Sequence, residues 1–75
     1  MLAFLLMTVR KGSERFVGDK LLELKHVKNV HMLYGEFDMI ARVEVDNLLD
    51  LQKFIIDEIR SIKEIGMTDT LIAAQ

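Results

Sequence analysis

No cysteine occurs in the 75 residues, so neither a disulfide nor a thiolate metal site can hold the fold. Neither sign of charge dominates: ten Lys and Arg stand against twelve Asp and Glu, interspersed along the chain, for a net charge of −2. The basic stripe needed to track a phosphate backbone is therefore missing, and direct nucleic-acid binding is not expected. No HExxH, GxSxG or Walker loop is present, so the usual motif chemistry of metallohydrolases, serine hydrolases and P-loop enzymes is excluded. The apolar start, Met1 to Arg10, lacks a basic leader and a small-residue cleavage site and is too short to span a bilayer. It reads as a strand in a cytoplasmic protein without a membrane partner. No linker or low-complexity tract divides residues 1–75, which are expected to form a single domain.

What is present is apolar. Hydrophobic residues make up 51% of the chain, high for a lone small domain. A chain of this length buries only about 60–65% of its extended-chain surface and is marginal alone. With disulfides and thiolate sites absent, self-association is the remaining common remedy.

Residues 2 to 10 read as a strand buried on both faces. Lys11-Gly12 breaks it, Ser13 offers an N-cap, and Val17, Leu21 and Leu24 place a helix over about 14–24. Gly18 inside that helix marks a candidate close contact. Asn29 to Tyr34 reads as a second strand and Met39 to Val45 as a third. Asp46 or Asn47 caps a second helix with a stripe of Leu48, Leu51, Ile55, Ile59 and Ile62, and Asn47 with Asp50 three residues on approximates a capping box. Thr68 to Ala74 reads as a fourth strand. The order βαββαβ with a central hairpin predicts an α+β, ferredoxin-like fold: a four-stranded antiparallel sheet with both helices on one face.

That fold leaves one sheet face open, and the open face should be polar in a monomer. Strand 1 instead alternates Leu2/Phe4/Leu6 with Ala3/Leu5/Met7, and strand 4 alternates Leu71/Ala73 with Ile72/Ala74. Both sides are apolar. The pattern predicts a homodimer packed sheet to sheet about a two-fold axis, a dimeric α/β barrel.

Chemistry-bearing residues are few. His26 and His31 stand five apart and are more ordinary as packing residues than as metal ligands; no metal and no cofactor is expected. Arg10-Lys11-Gly12-Ser13 before a helix is more ordinary as a turn than as an anion site. The hairpin Tyr34-Gly35-Glu36-Phe37-Asp38 is more distinctive, with two carboxylates and two aromatics around one glycine. A second polar cluster, Thr68-Asp69-Thr70, opens an otherwise apolar strand. Across an assembly interface the two clusters would close a small polar pocket.

Taken in order, Val30-His31, Tyr34-Gly35-Glu36-Phe37-Asp38, Ala41-Arg42-Val43-Glu44-Val45, Ile59-Arg60-Ser61-Ile62 and Thr68-Asp69-Thr70-Leu71-Ile72 resemble the effector-sensing domain of the Lrp/AsnC transcription regulators, the RAM domain. The resemblance covers essentially the whole chain, and its strongest element is the glycine hairpin in register with the T-x-T segment. It implies the βαββαβ fold, sheet-to-sheet dimers assembled into octamers or decamers, and an amino acid effector bound between dimers. The implied ligand-binding residues are Tyr34, Gly35, Glu36, Phe37, Asp38, Thr68, Asp69 and Thr70, with no catalytic residue and no enzyme activity. Where the family often has Pro-Gly before strand 2 this chain has Lys25-His26, and Glu64 stands where a Gly often follows helix 2. The family's N-terminal helix-turn-helix has no counterpart here, so a stand-alone RAM domain that modulates full-length Lrp/AsnC regulators by mixed assembly is expected. Two rivals share the fold. An ACT-like amino-acid-binding domain would use the loop after strand 1, where only Lys11-Gly12 is available. A small dimeric α+β barrel monooxygenase would need polar groups on helix stripes that here are aliphatic and aromatic.

Overall fold

In a computed structural model, residues 1–74 are described. Strand β1 (Leu2–Val9) alternates strictly, with Ala3, Leu5, Met7 and Val9 buried and Leu2, Phe4, Leu6 and Thr8 half-buried. Helix α1 (Glu14–Leu22) buries Val17 and Leu21 against that first set. Its entry differs from expectation. Ser13 makes no side-chain cap; instead the Glu14 carboxylate turns back to accept from Gly12 N at 2.9 Å. Gly12, at φ +91°, occupies backbone space that side chains disfavour. Gly18 is not a close contact either, since a Cβ there would meet nothing within 4 Å.

Strand β2 (Val27–Met32) begins two residues before the predicted Asn29. Val27 N is satisfied by Leu24 O at 3.1 Å and Glu44 N by His26 O at 3.0 Å, so the chain passes from helix to sheet through one tight turn. Strand β3 (Met39–Glu44) turns Met39, Ala41 and Val43 into the core. Helix α2 (Leu48–Phe54) is capped as expected, Asn47 Oδ1 accepting from Asp50 N at 2.9 Å. It then widens into a π-helical turn over Ile55–Ile59, closed by Arg60 N donating to Ile55 O at 3.0 Å. The wide turn rotates the buried stripe. Leu51, Phe54 and Ile59 are the core residues, Ile55 and Ile62 are only half-buried, and Leu48 is exposed. A five-residue step from Phe54 to Ile59 suits the i→i+5 pattern of a π-turn and not the α-helical spacing read from sequence.

Strand β4 (Ile65–Ile72) starts three residues earlier than predicted. The sheet runs β2-β3-β1-β4, antiparallel throughout, with a bulge in β2 at Val27/Asn29 and another in β1 at Met7/Val9. Within residues 1–74 these four strands and two helices form the predicted βαββαβ order. Both helices bury their apolar residues in the core on one side of the sheet, shared with the odd-numbered positions of β1 and β3. No helix is long and apolar enough to cross a membrane among the described residues.

Candidate functional site

The hairpin between β2 and β3 spans residues 33–38. Leu33 N donates to Asp38 O at 2.9 Å and closes its base. Gly35 sits at φ +137°, where an L side chain is strained. Tyr34 at the tip is fully exposed, Glu36 is exposed, and Phe37 is half-buried.

Asp38 is the anchor of the loop. Its N–H donates to Met7 O at 2.9 Å, and its Oδ2 accepts from Val9 N at 2.8 Å. The side chain thus continues the β1–β3 ladder by one rung where the β3 backbone has already turned away. On the other side of β1, Thr8 Oγ1 accepts from Met67 N at 2.7 Å across the bulge. Gly66 is needed there, because a Cβ would lie 2.7 Å from Thr8 Oγ1.

Met7 therefore pairs with Met39 on one side and Thr68 on the other. The hairpin and the T-x-T segment converge on the same end of the sheet, separated by one strand, or about 10 Å at the usual interstrand spacing. Strand alternation splits the T-x-T. Thr68 and Thr70 pair with the core-facing Met7 and Leu5 and so lie on the helix side, whereas Asp69 pairs with Leu6 and lies on the open side. Both threonines are half-buried and Asp69 is exposed.

One neighbour was not singled out from sequence. A cavity of about 290 Å³ is lined by Ile59, Arg60, Ile65, Gly66, Met67 and Thr68. The π-turn carries Arg60 to this cavity and so sets a cation beside Thr68; nothing in the helical periodicity signals that placement. Another cavity, of about 490 Å³, lies between α1 and the end of the second helix, walled by Phe16, Leu24 and Ile62 with a rim of mixed charge. It shares no residue with the hairpin or the T-x-T segment.

The two histidines are apart. His26 packs edge-on against Phe54, ring centroids 5.5 Å apart, while His31 stands exposed on the open face of β2. Among the described residues no three His, Asp or Glu side chains gather where they could hold one metal ion.

Comparison with known proteins agrees with this architecture. The family profile described as the Lrp/AsnC ligand binding domain matches residues 2–75. The structure of hypothetical protein PHS023 from Pyrococcus horikoshii superposes with a TM-score of 0.93 at 47% identity, covering 99% of this chain and 89% of that one. FFRP-DM1 superposes with a TM-score of 0.92 at 49% identity, covering 96% of each chain. The HTH-type transcriptional regulator FL11 of Pyrococcus abyssi is 32% identical over 72 residues, which are 96% of this chain and 47% of that regulator. The chain spans about half the length or less of the curated relatives it matches. Fold, hairpin and profile together make this chain a member of the Lrp/AsnC ligand-binding domain family, the domain found in HTH-type transcriptional regulators.

Proposed function

We propose that the chain is an amino-acid-sensing module, not an enzyme, that dimerises through its open sheet face, builds octamers or decamers from those dimers, and modulates full-length Lrp/AsnC regulators by mixed assembly. The observation that carries the reading is Asp38: a carboxylate held by the end of β1, on the same sheet end as Thr68 and Thr70. One oxygen is committed to Val9 N, and the other is free for a charge-assisted bond to an ammonium. Glu36 is a second acceptor. The ligand's carboxylate takes the Gly35 and Glu36 N–H groups of one dimer with the Thr68 and Thr70 hydroxyls of its neighbour, where Arg60, lining the same cavity as Thr68, adds positive charge. Phe37 is half-buried in the hairpin. A fully exposed Tyr34 is uncovered in the single chain, which suits a wall completed by a neighbouring dimer. A ligand held by two dimers favours the assembled state by linkage.

Calorimetric titration with the twenty amino acids is the direct test. At least one is expected to bind, and Asp38→Asn is expected to weaken it by about 1.5–3 kcal/mol, the scale of a hydrogen bond to a charged group. Asparagine keeps an acceptor for Val9 N, so the loop should hold its shape while the charge is lost; alanine would orphan that N–H. Absence of heat with every amino acid, or unchanged affinity in Asp38→Asn, would overturn the site.

A further inference from the structure

The open face can be read as a grid. Strand pairing sets His31, Ile40, Leu6 and Asp69 side by side in one row across β2, β3, β1 and β4; Asn29, Arg42, Phe4 and Leu71 form the next, and Glu44 and Leu2 the third with Ala73. Of the two middle strands, β1 presents only aliphatic and aromatic side chains in these rows, while β3 follows Ile40 with Arg42 and Glu44. His31 and Asp69 occupy opposite ends of the first row, three strands apart, or about 14 Å. Both are exposed, and neither has a side-chain hydrogen bond or ion pair within the described chain.

A sheet-to-sheet dimer places its two-fold axis between the faces, and this grid discriminates among placements. An axis running across the strands lays each strand on its own copy. Passing through the first row, it sets Asp69 on Asp69; midway to the second, Asp69 on Leu71; through the second, Asp69 on Ala73. Each choice presses a carboxylate against a like charge or an apolar group, which is costly when water is excluded. An axis running along the strands, midway between β3 and β1, preserves every row and reverses it. Ile40 and Leu6 then cover Leu6 and Ile40 of the second copy, Arg42 faces the Phe4 ring, and Asp69 faces His31 twice, once at each edge. Glu44, in the outermost row, is already held by Arg42 at 2.8 Å.

We propose that the two protomers are registered by reciprocal Asp69–His31 pairs between β4 of one copy and β2 of the other. The inference rests on the sheet-to-sheet dimer proposed above and adds which residues align it. Aligned sheets lie about 10 Å apart, a gap that a histidine and an aspartate together span. They cross at about 30°, which shifts edge residues some 7 Å from the axis by roughly half a row. An imidazole N–H set to donate to a carboxylate at both edges rewards one alignment and penalises slips by a strand or a row.

The test uses two single reversals on exposed positions, Asp69→Lys and His31→Asp, with dimer dissociation measured by sedimentation equilibrium. Each variant alone repeats a mismatch at both edges and is expected to dimerise about tenfold more weakly or worse, since Asp69→Lys sets an unpaired ammonium against the imidazole and His31→Asp sets a carboxylate against a carboxylate. Mixed in equal amounts, they should form a heterodimer near wild-type affinity. One edge then sets the introduced lysine against the introduced aspartate, and the other keeps the native Asp69–His31 pair. Wild-type protein that stays monomeric would overturn the dimer reading itself. A wild-type dimer whose variants associate unchanged, or whose mixture does not recover, would overturn the pairing and leave the dimer standing. If a reversal unfolds the chain, Asp69→Asn and His31→Gln replace them. The double variant should then lose no more than either single, the non-additivity of one broken pair, and additive losses would overturn the pairing.

Discussion

The two faces of β1 carry the same kind of side chain and have different fates. Ala3, Leu5 and Met7 are completely buried by the chain's own helices, whereas Leu2, Phe4 and Leu6 one residue away stay half-open to water. On β4 the contrast fades: Leu71 on the open side and Ile72 on the helix side are each about half exposed. Hydropathy thus reports that a position is to be buried and is silent about what buries it. A chain of this size cannot cover both faces of a four-stranded sheet with two short helices. The surplus apolar face is the surface that the proposed assembly would cover.

That contrast can be broken from either side. Leu6→Lys is expected to give the largest effect, about 3–5 kcal/mol of dimer affinity, the scale of an uncompensated charge at a dry interface. Leu71→Lys should do the same. Their monomeric folds should stay intact by far-UV circular dichroism, and sedimentation would reveal the loss. A Leu6→Lys protein that assembles normally would show the open face to be merely solvated. Leu5→Ala acts on the opposite face and should remove about 2–5 kcal/mol of unfolding free energy by leaving a cavity. Denaturation at two protein concentrations separates the cases: the cavity loss is intrinsic to the fold, whereas the Leu6 loss depends on concentration.

Much of this was legible in the sequence because it depends on period and local chemistry. The alternation of β1, the Asn47 cap and the hairpin glycine were readable from neighbouring residues. Register was not. Across the π-turn at Ile55–Ile59 the buried residues Phe54 and Ile59 stand five apart, a step no α-helical pattern encodes, while Ile55 is only half-buried against the core. Ser13 resembled a cap, but Glu14 reached Gly12 first. Gly18 looked like the packing glycine, yet Gly66 fills that role through its contact with Thr8, from which it is separated by most of the chain. For the candidate site, the sequence grouped the hairpin with the T-x-T segment, but which face each strand residue takes followed only from pairing. Asp69, grouped with its flanking threonines by sequence, points away from them.

A smaller effect sharpens the bulge where the open face meets β4. Gly66→Ala must displace Thr8 Oγ1, which would otherwise lie 2.7 Å from the new Cβ and which already accepts from Met67 N. Loss of that bond with local repacking should lower unfolding free energy by about 1–3 kcal/mol, readable as a shift in thermal midpoint. No shift would mean the hydroxyl rotates away freely and the bulge is soft.

The smallest effect concerns the Arg42–Glu44 pair in the outer rows of the open face. The Arg42 guanidinium donates to Glu44 at 2.8 Å and holds the Glu44 carboxyl below its ordinary value of 4.5, with lesser help from Lys28 and the N-terminus. A folded-state value below the unfolded one favours the native state at pH above about 4.5. The contribution is then lost as pH falls through the folded value. In the isolated chain this glutamate is solvated, so screening should keep the effect slight and salt should erase it. Covered by a second copy, the same pair would lose water and be screened less. A carboxyl titration followed by NMR at two protein concentrations distinguishes the states: the titration of Glu44 should change with concentration if the open face is occupied. Covering that face removes water, which raises the value, and strengthens the Arg42 pair, which lowers it. The titration should then vary less with salt in the dimer than in the monomer, and Glu44→Gln should only slightly reduce the difference in thermal midpoint between mildly and strongly acidic buffer, to which the other carboxylates also contribute. A titration indifferent to protein concentration would mean that water still reaches this end of the sheet, limiting the interface to the two rows containing His31, Leu6, Phe4 and Asp69.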